Sequence, residues 1–225
     1  MRQMATSTQL IDDLRATHAE LEARLRAARE VDTAPGQSRR GCPPIDLYCS
    51  RQARHLHAVD AVLVPMVRRA PDTGPLCHAY VQATRELEVV VAHVKAHEYG
   101  SAYESSFDWD AVWDDVAAAA AEQWRLEQEV GERLAETASA EELERASREL
   151  ARHEQHGPTR PHPYLPHTGV AGGVSRGVMT AADAFWDAVE GRHVPQPRRP
   201  ERRRPGLLGQ YVLGDPRFDE DQAER

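Results

Sequence analysis

The chain has 225 residues, of which 40% are hydrophobic, 28% charged and only 6% aromatic, with a formal net charge of −8. This is enough apolar material for one well-buried domain with extensions. The negative balance excludes general nucleic-acid affinity, and with no run of about 18 apolar residues no membrane span is expected.

Cys42, Cys49 and Cys77 form an odd set without a CxxC pair, which fits a reducing compartment better than a disulfide framework. Met1 to Leu10 lacks the apolar stretch of a signal peptide. A cytoplasmic location is expected.

Met1 to Ser7 reads as a loose tail. Ser7 or Thr8 can cap a first helix, with Asp12 and Asp13 near its positive end. Ile11, Leu14, His18, Leu21 and Leu25 then recur at helical spacing as far as about Val31, with one imidazole inside an apolar stripe. A Pro-, Gly-, Ser- and Arg-rich loop follows from Asp32 to Pro44. The second helix spans about Ile45 to Arg69, with His55, Val59, Val62, Leu63 and Met66 on one face. Pro71, Gly74 and Pro75 end it.

The third helix covers about Leu76 to His97, with Tyr80, Thr84, Leu87, Val91 and Val94 inward. The run Val89 to Val91 suits a strand, but the flanking segments are strongly helix-forming, and helix is the reading. After a turn at Gly100 to Ser106, a long fourth helix opens at Ser106 or Asp108. Its inner face carries Val112, Val116, Ala119, Ala120, Gln123, Glu127, Val130 and Leu134. Ser139 and Glu142 match a capping box, so a further short helix spans about Ala140 to His153.

From Gly157 to Gly173 the density of Pro and Gly forbids a regular element. Val174 to Val189 reads as a small amphipathic helix. Arg192 to Arg204 is rich in Arg and Pro and reads as disordered, with an acidic end beyond it. The expected division is a helical domain over 8–153, a Pro-rich arm with a small docking helix over 154–191, and a charged tail over 192–225.

The segment Arg54 to Met66, RHLHAVDAVLVPM, resembles the second helix of the hemerythrin-like (HHE) four-helix bundle. His55, Leu56, Asp60, Val62, Leu63 and Pro65 match that family's pattern, whereas Val59 stands where the family has a metal-binding Glu. The resemblance covers about Gln9 to Ala135, and Gly157 to Gly191 is similar to the tail of actinobacterial members. It implies an all-α fold: an up-down-up-down four-helix bundle with a short extra helix and an extended C-terminal arm. It places His18 and His55 as metal ligands on the first two helices. On the third helix the ligand position is Leu87, or Thr84 one turn away. On the fourth, Gln123 replaces the family's His, and Glu127 matches its carboxylate.

What the resemblance leaves is a set of two imidazoles and one carboxylate, His18, His55 and Glu127. This is the ligand set of a mononuclear non-haem iron site with open positions, with Gln123 placed to orient a ligand or bound water. The implied function is binding of, or reaction with, dioxygen, nitric oxide or peroxide, with one iron per chain. No catalytic residue is assigned.

Other readings stay open at this stage. One is a metal-free bundle acting as an interaction or scaffold protein, in which Val59 and Leu87 fill a dry core and the histidines pair with Glu127. Another is a specialised enzyme using the vacated core for a substrate, or for haem held by His55 or His57. His57 is expected to point outward. His93 and His97, four residues apart, and His153, His156, His162 and His167 read as surface residues. The Arg198 to Arg204 run reads as a solvated tail, and the cysteines lack the flanking residues of a catalytic motif.

Overall fold

The computed structural model describes residues 2–31, 41–99 and 108–160, together with Asp183 and Val194; the side chains of 2–8, 96, 97 and 99 lie outside that description. The described part is all-helical and contains no strand. Five helices pack together: α1 (Arg2–Arg29), α2 (Pro43–Val67), α3 (Gly74–Tyr99), α4 (Trp109–Thr137) and α5 (Ala140–His156). The chain divides into two compact units, 1–195 and 196–225, and the second falls outside the described residues, as do 161–182. The expectations for the docking helix and the charged tail therefore lie outside the described residues, Asp183 and Val194 apart.

The helix ends follow from local chemistry. Asp108 caps α4 by accepting from the backbone N–H of Asp110 and Ala111 at 3.1 and 3.2 Å. Pro43 and Pro44 open α2, where the missing N–H costs nothing, and Gly41 (φ 69°) supplies the left-handed residue just before. Between α2 and α3 the turn places Asp72 at φ 56°, a region that Asp tolerates better than most residues. Thr73 ties the same turn back by donating to the Val67 and Ala70 carbonyls. Ser139 caps α5 with a complete capping box: Glu142 Oε2 accepts from Ser139 N at 2.9 Å, and Ser139 Oγ accepts from Glu142 N at 3.3 Å. Ser139→Ala is expected to cost about 1 kcal/mol, read as a lower urea midpoint with an unchanged m-value.

The structure moves one boundary substantially. The helix starts at Arg2, so the segment read as a loose tail is helical. Nothing between Met1 and Thr8 breaks a helix, and the cap signal at Ser7 and Thr8 is overridden. The Val89 to Val91 run is helical, as expected from its flanks.

Cross-helix contacts fix the directions. His18 meets Glu127 and Arg29 meets Asp114 (2.6 Å), so α1 and α4 are antiparallel. Leu14 lies 3.2 Å from where a Cβ on Gly131 would stand, so this glycine lets the two helices approach. Arg51 reaches Glu20, which with the His18–His55 ring contact makes α1 and α2 antiparallel. His55 meets Glu127 and the Tyr48 ring meets that of Trp113, so α2 and α4 run the same way. The fifth helix packs on α1 and α2.

Two apolar clusters form the core. One contains Leu10, Leu14, Val59, Leu63, Val130, Leu134 and Leu143. The other contains Leu25, Ile45, Leu56, Leu87, Val91, Trp113 and Val116. The whole α3 stripe read from sequence is buried, as are Leu14, His18, Leu21 and Leu25 on α1. No described helix is long and apolar enough to cross a membrane.

Candidate metal centre

Three buried polar side chains interrupt the apolar stripes where the two clusters adjoin. His18 lies one turn from Leu14 and from Leu21 on α1; His55 lies one turn from Val59 on α2; Glu127 lies one turn from Gln123 and from Val130 on α4. His55 and Glu127 are fully buried and His18 is 6% exposed. His18 Nε2 stands 3.2 Å from Glu127 Oε1. His55 Nε2 is almost equidistant from both Glu127 oxygens, at 3.1 and 3.2 Å. One ligand atom from each of the three residues lies within 4.8 Å of the others, and the group can hold a metal ion.

The spacing suits a shared ion. Imidazole nitrogens and carboxylate oxygens bind divalent transition metals at about 2.0–2.2 Å, which sets neighbouring ligand atoms roughly 3.0–3.4 Å apart for octahedral to tetrahedral geometry. The observed nitrogen–oxygen separations fall in that range. The donor set is neutral nitrogen plus one carboxylate oxygen, which suits iron, zinc and similar ions rather than calcium.

Residues around the three groups orient them. His55 Nδ1 is 2.8 Å from Glu154 Oε1, which puts Nδ1–H toward a carboxylate and leaves Nε2 facing the centre. Arg51 donates to Glu154 at 2.9 Å and to Glu20 at 3.2 Å, so the outer carboxylate is itself held. Gln123 Nε2 donates to Glu127 Oε2 at 2.8 Å and to Tyr80 Oη at 3.1 Å. The Trp124 ring stacks on His18, centroids 5.3 Å apart and planes 15° apart.

The electrostatics follow from this crowding. Burial pushes His55 down, but the carboxylates of Glu127 and Glu154 raise it from 6.5 to about 9. Burial would raise Glu127, yet His55 and His18 hold its carboxyl far below the usual carboxylate range. Burial, Glu127 and Asp60 raise the Tyr80 phenol well above 10, so it stays protonated. In the metal-free chain His55 is therefore an imidazolium between two carboxylates.

A raised histidine contributes stability that is complete below its unfolded value of 6.5 and lost as pH rises through about 9. A depressed carboxylate contributes stability present above about 4.5 and lost as pH falls. The thermal midpoint of chelator-treated protein is thus expected to decline between pH 6.5 and 9, and His55→Gln should flatten that decline.

The structure brings together His18, His55, Glu127 and Gln123. On α3, Leu87 is buried in the apolar cluster with Trp113 and Val116, Thr84 is buried one turn on from Tyr80, and the α3 residue that reaches Gln123 is Tyr80. The reason is level. Tyr80 lies two turns before Leu87 on a helix that packs along α4, at the height of Gln123. Val59 is fully buried among aliphatic residues.

His57 is also corrected. It is half-buried, with its ring 5.5 Å from that of His153 and beside Gly157, because α5 covers the face that would otherwise meet solvent. α5 runs on to His156, three residues past its expected end, and leaves His153 half-buried and His156 exposed. His93 is exposed, while His97's side chain, His162 and His167 lie outside the described residues. Cys49 and Cys77 are buried and Cys42 half-buried, and none of the three forms a disulfide.

Glu154, Arg51 and Trp124 were not singled out from the sequence. A signal for Glu154 existed: it continues the buried Leu143, Ala146 and Leu150 stripe of α5, a carboxylate where an apolar residue is expected. Asp183, buried at 2% exposure, accepts from the backbone N–H of Thr159 and Arg160 at 3.0 and 3.1 Å. It ties the segment after α5 to a residue 24 positions on. No protein-family model matches the chain, and no curated protein or solved structure matches it either.

Proposed function

We propose that this chain is a hemerythrin-like protein with a reduced, mononuclear site: a four-helix up-down-up-down bundle of α1 to α4, with α5 as an added helix, holding one iron or similar divalent ion. The observation that carries this reading is the convergence of His18, His55 and Glu127, which come from three helices and stand 72 and 109 residues apart in sequence. In this reading His18 and His55 bind through Nε2, and Glu127 is the anionic ligand. Glu154 orients His55, and Gln123 orients Glu127. When bound, such an ion supplies open positions at which dioxygen, nitric oxide or peroxide can be bound and reduced. The protein's part is to hold the imidazole tautomers, keep Tyr80 protonated and exclude bulk water between two apolar clusters.

Haem is a weaker fit. His55 Nε2 stands only 3.1–3.2 Å from the Glu127 oxygens, a gap that suits a shared ion but not a porphyrin plane, and His57 is packed against α5.

A metal-free scaffold is the second reading, and one observation favours it: Glu127 already hydrogen-bonds both histidines, and aliphatic Val59 is fully buried one turn from His55. Cobalt substitution separates the two. A metal site gives visible d–d bands at one cobalt per chain that vanish in Glu127→Gln. A scaffold gives no bands in either protein, and Glu127→Gln lowers its stability, because His55 and His18 lose the carboxylate with which they pair.

A further inference from the structure

We propose, resting on the metal reading above, that Asp183 is a positioning residue for the centre: it latches the chain just beyond α5 and so keeps the Glu154 carboxylate seated behind His55. The Asp183 side chain is 2% exposed, and its Oδ2 accepts from the backbone N–H of Thr159 at 3.0 Å and of Arg160 at 3.1 Å. A buried carboxyl group is kept where such donors offset its lost hydration, so the two contacts mark a fixed point of the chain.

The end of α5 needs such a point. The buried residues of α5 are Leu143, Ala146 and Leu150, and all three precede Glu154. The last turn, which carries Glu154, has no buried apolar anchor of its own, and helix ends of that kind open easily. Beyond it the chain turns inward: Gln155 and His156 are exposed, whereas Gly157, Pro158 and Thr159 are buried. The Gly157 N–H donates to the His153 carbonyl at 2.7 Å, joining the helix end to the turned chain. Gly157 also lies close against α2, because a Cβ there would stand 3.0 Å from His57 Cδ2 and 2.8 Å from the His153 oxygen. Pro158 has a fixed φ, which leaves little slack between Gly157 and the latched Thr159. Asp183 on one side and the Gly157–His57 contact on the other thus hold the turn from which Glu154 reaches His55 Nδ1 at 2.8 Å. Loosening that turn lets the carboxylate behind a histidine ligand drift, and such groups tune metal affinity.

The test is the zinc affinity of the full chain, read by competition with a chromophoric chelator, in a double-mutant cycle of Asp183→Ala with Glu154→Ala. Asp183→Ala is expected to weaken zinc binding about tenfold at unchanged stoichiometry, the low end of the cost of losing the carboxylate itself. In the Glu154→Ala background the same change should add less than about twofold, because the group that it seats is gone. Asp183→Asn, which keeps an acceptor oxygen, should regain most of the affinity. A cooperative thermal melt shows which variants are folded; if Asp183→Ala is not, Gly157→Ala, which pushes the same turn off His57, takes its place with the same expectation. Unchanged zinc affinity in the folded variant, or an equal loss with and without Glu154, would overturn the latch and leave the metal reading standing. If the unaltered chain binds no zinc, the metal reading fails instead, and the latch is read from the His55 Nδ1–H proton of the metal-free chain. Roughly tenfold faster exchange of that proton with water in the variant upholds the latch, and an unchanged rate overturns it.

Discussion

His55→Ala is expected to destabilise the metal-free chain by about 3–5 kcal/mol, the usual cost of removing one partner from a buried charge pair. The thermal midpoint should fall by roughly 10 °C for a domain of this size. The reason is specific. His55 is fully buried and sits between Glu127, at 3.1 Å, and Glu154, at 2.8 Å. Removing it leaves two carboxylates on either side of a void, one of them at zero exposure. His18→Ala provides the comparison. Glu127 then keeps His55 and Gln123 as partners, so the loss should be nearer 1–3 kcal/mol, that of a single buried hydrogen bond. Both substitutions should remove metal binding. Equal destabilisation by the two would mean that the Glu154 contact contributes nothing.

Glu154→Gln should weaken metal binding about 10–100-fold without changing the saturating stoichiometry, the usual effect of losing a carboxylate behind a histidine ligand. Gln keeps the size of the side chain and one acceptor for His55 Nδ1, but it removes the charge that Arg51 neutralises. The same change should shift the alkaline decline of the metal-free chain to lower pH, because one of the two carboxylates that raise His55 is gone. Competition with a chromophoric chelator reads the first effect and thermal melts against pH read the second. An exposed α5 pair gives the contrast. Arg148 and Glu144 are bonded at 2.6 Å with both side chains over 60% exposed, so Arg148→Ala should move stability by no more than about 0.5 kcal/mol and leave metal affinity unchanged.

Much of the helical core was legible because period and punctuation agree. The α3 stripe from Tyr80 to Val94 is wholly buried, and Asp108 and Ser139 cap α4 and α5 as their residue types imply. His18 and Glu127 were legible because each breaks an apolar stripe on its own helix. What sequence could not supply was the height at which one helix meets another. Leu87 and Tyr80 occupy the same α3 face, and only packing decides that Tyr80 meets Gln123. Nor could it supply the seat of α5. An amphipathic helix after Ser139 was evident, but its docking on α1 and α2 is what brings Glu154 to His55 and buries part of His57. The start of α1 was misplaced because a good cap residue at Ser7 or Thr8 does not end a helix when the residues before it also favour one.

The most direct test is metal content per chain after anaerobic reconstitution with ferrous iron and removal of excess, measured beside His18→Ala and Glu127→Ala. About one tightly held ion per chain, absent from both variants, is the predicted result and would establish that the three residues form one site. No retained ion in the unaltered chain, or one that persists in both variants, would contradict it.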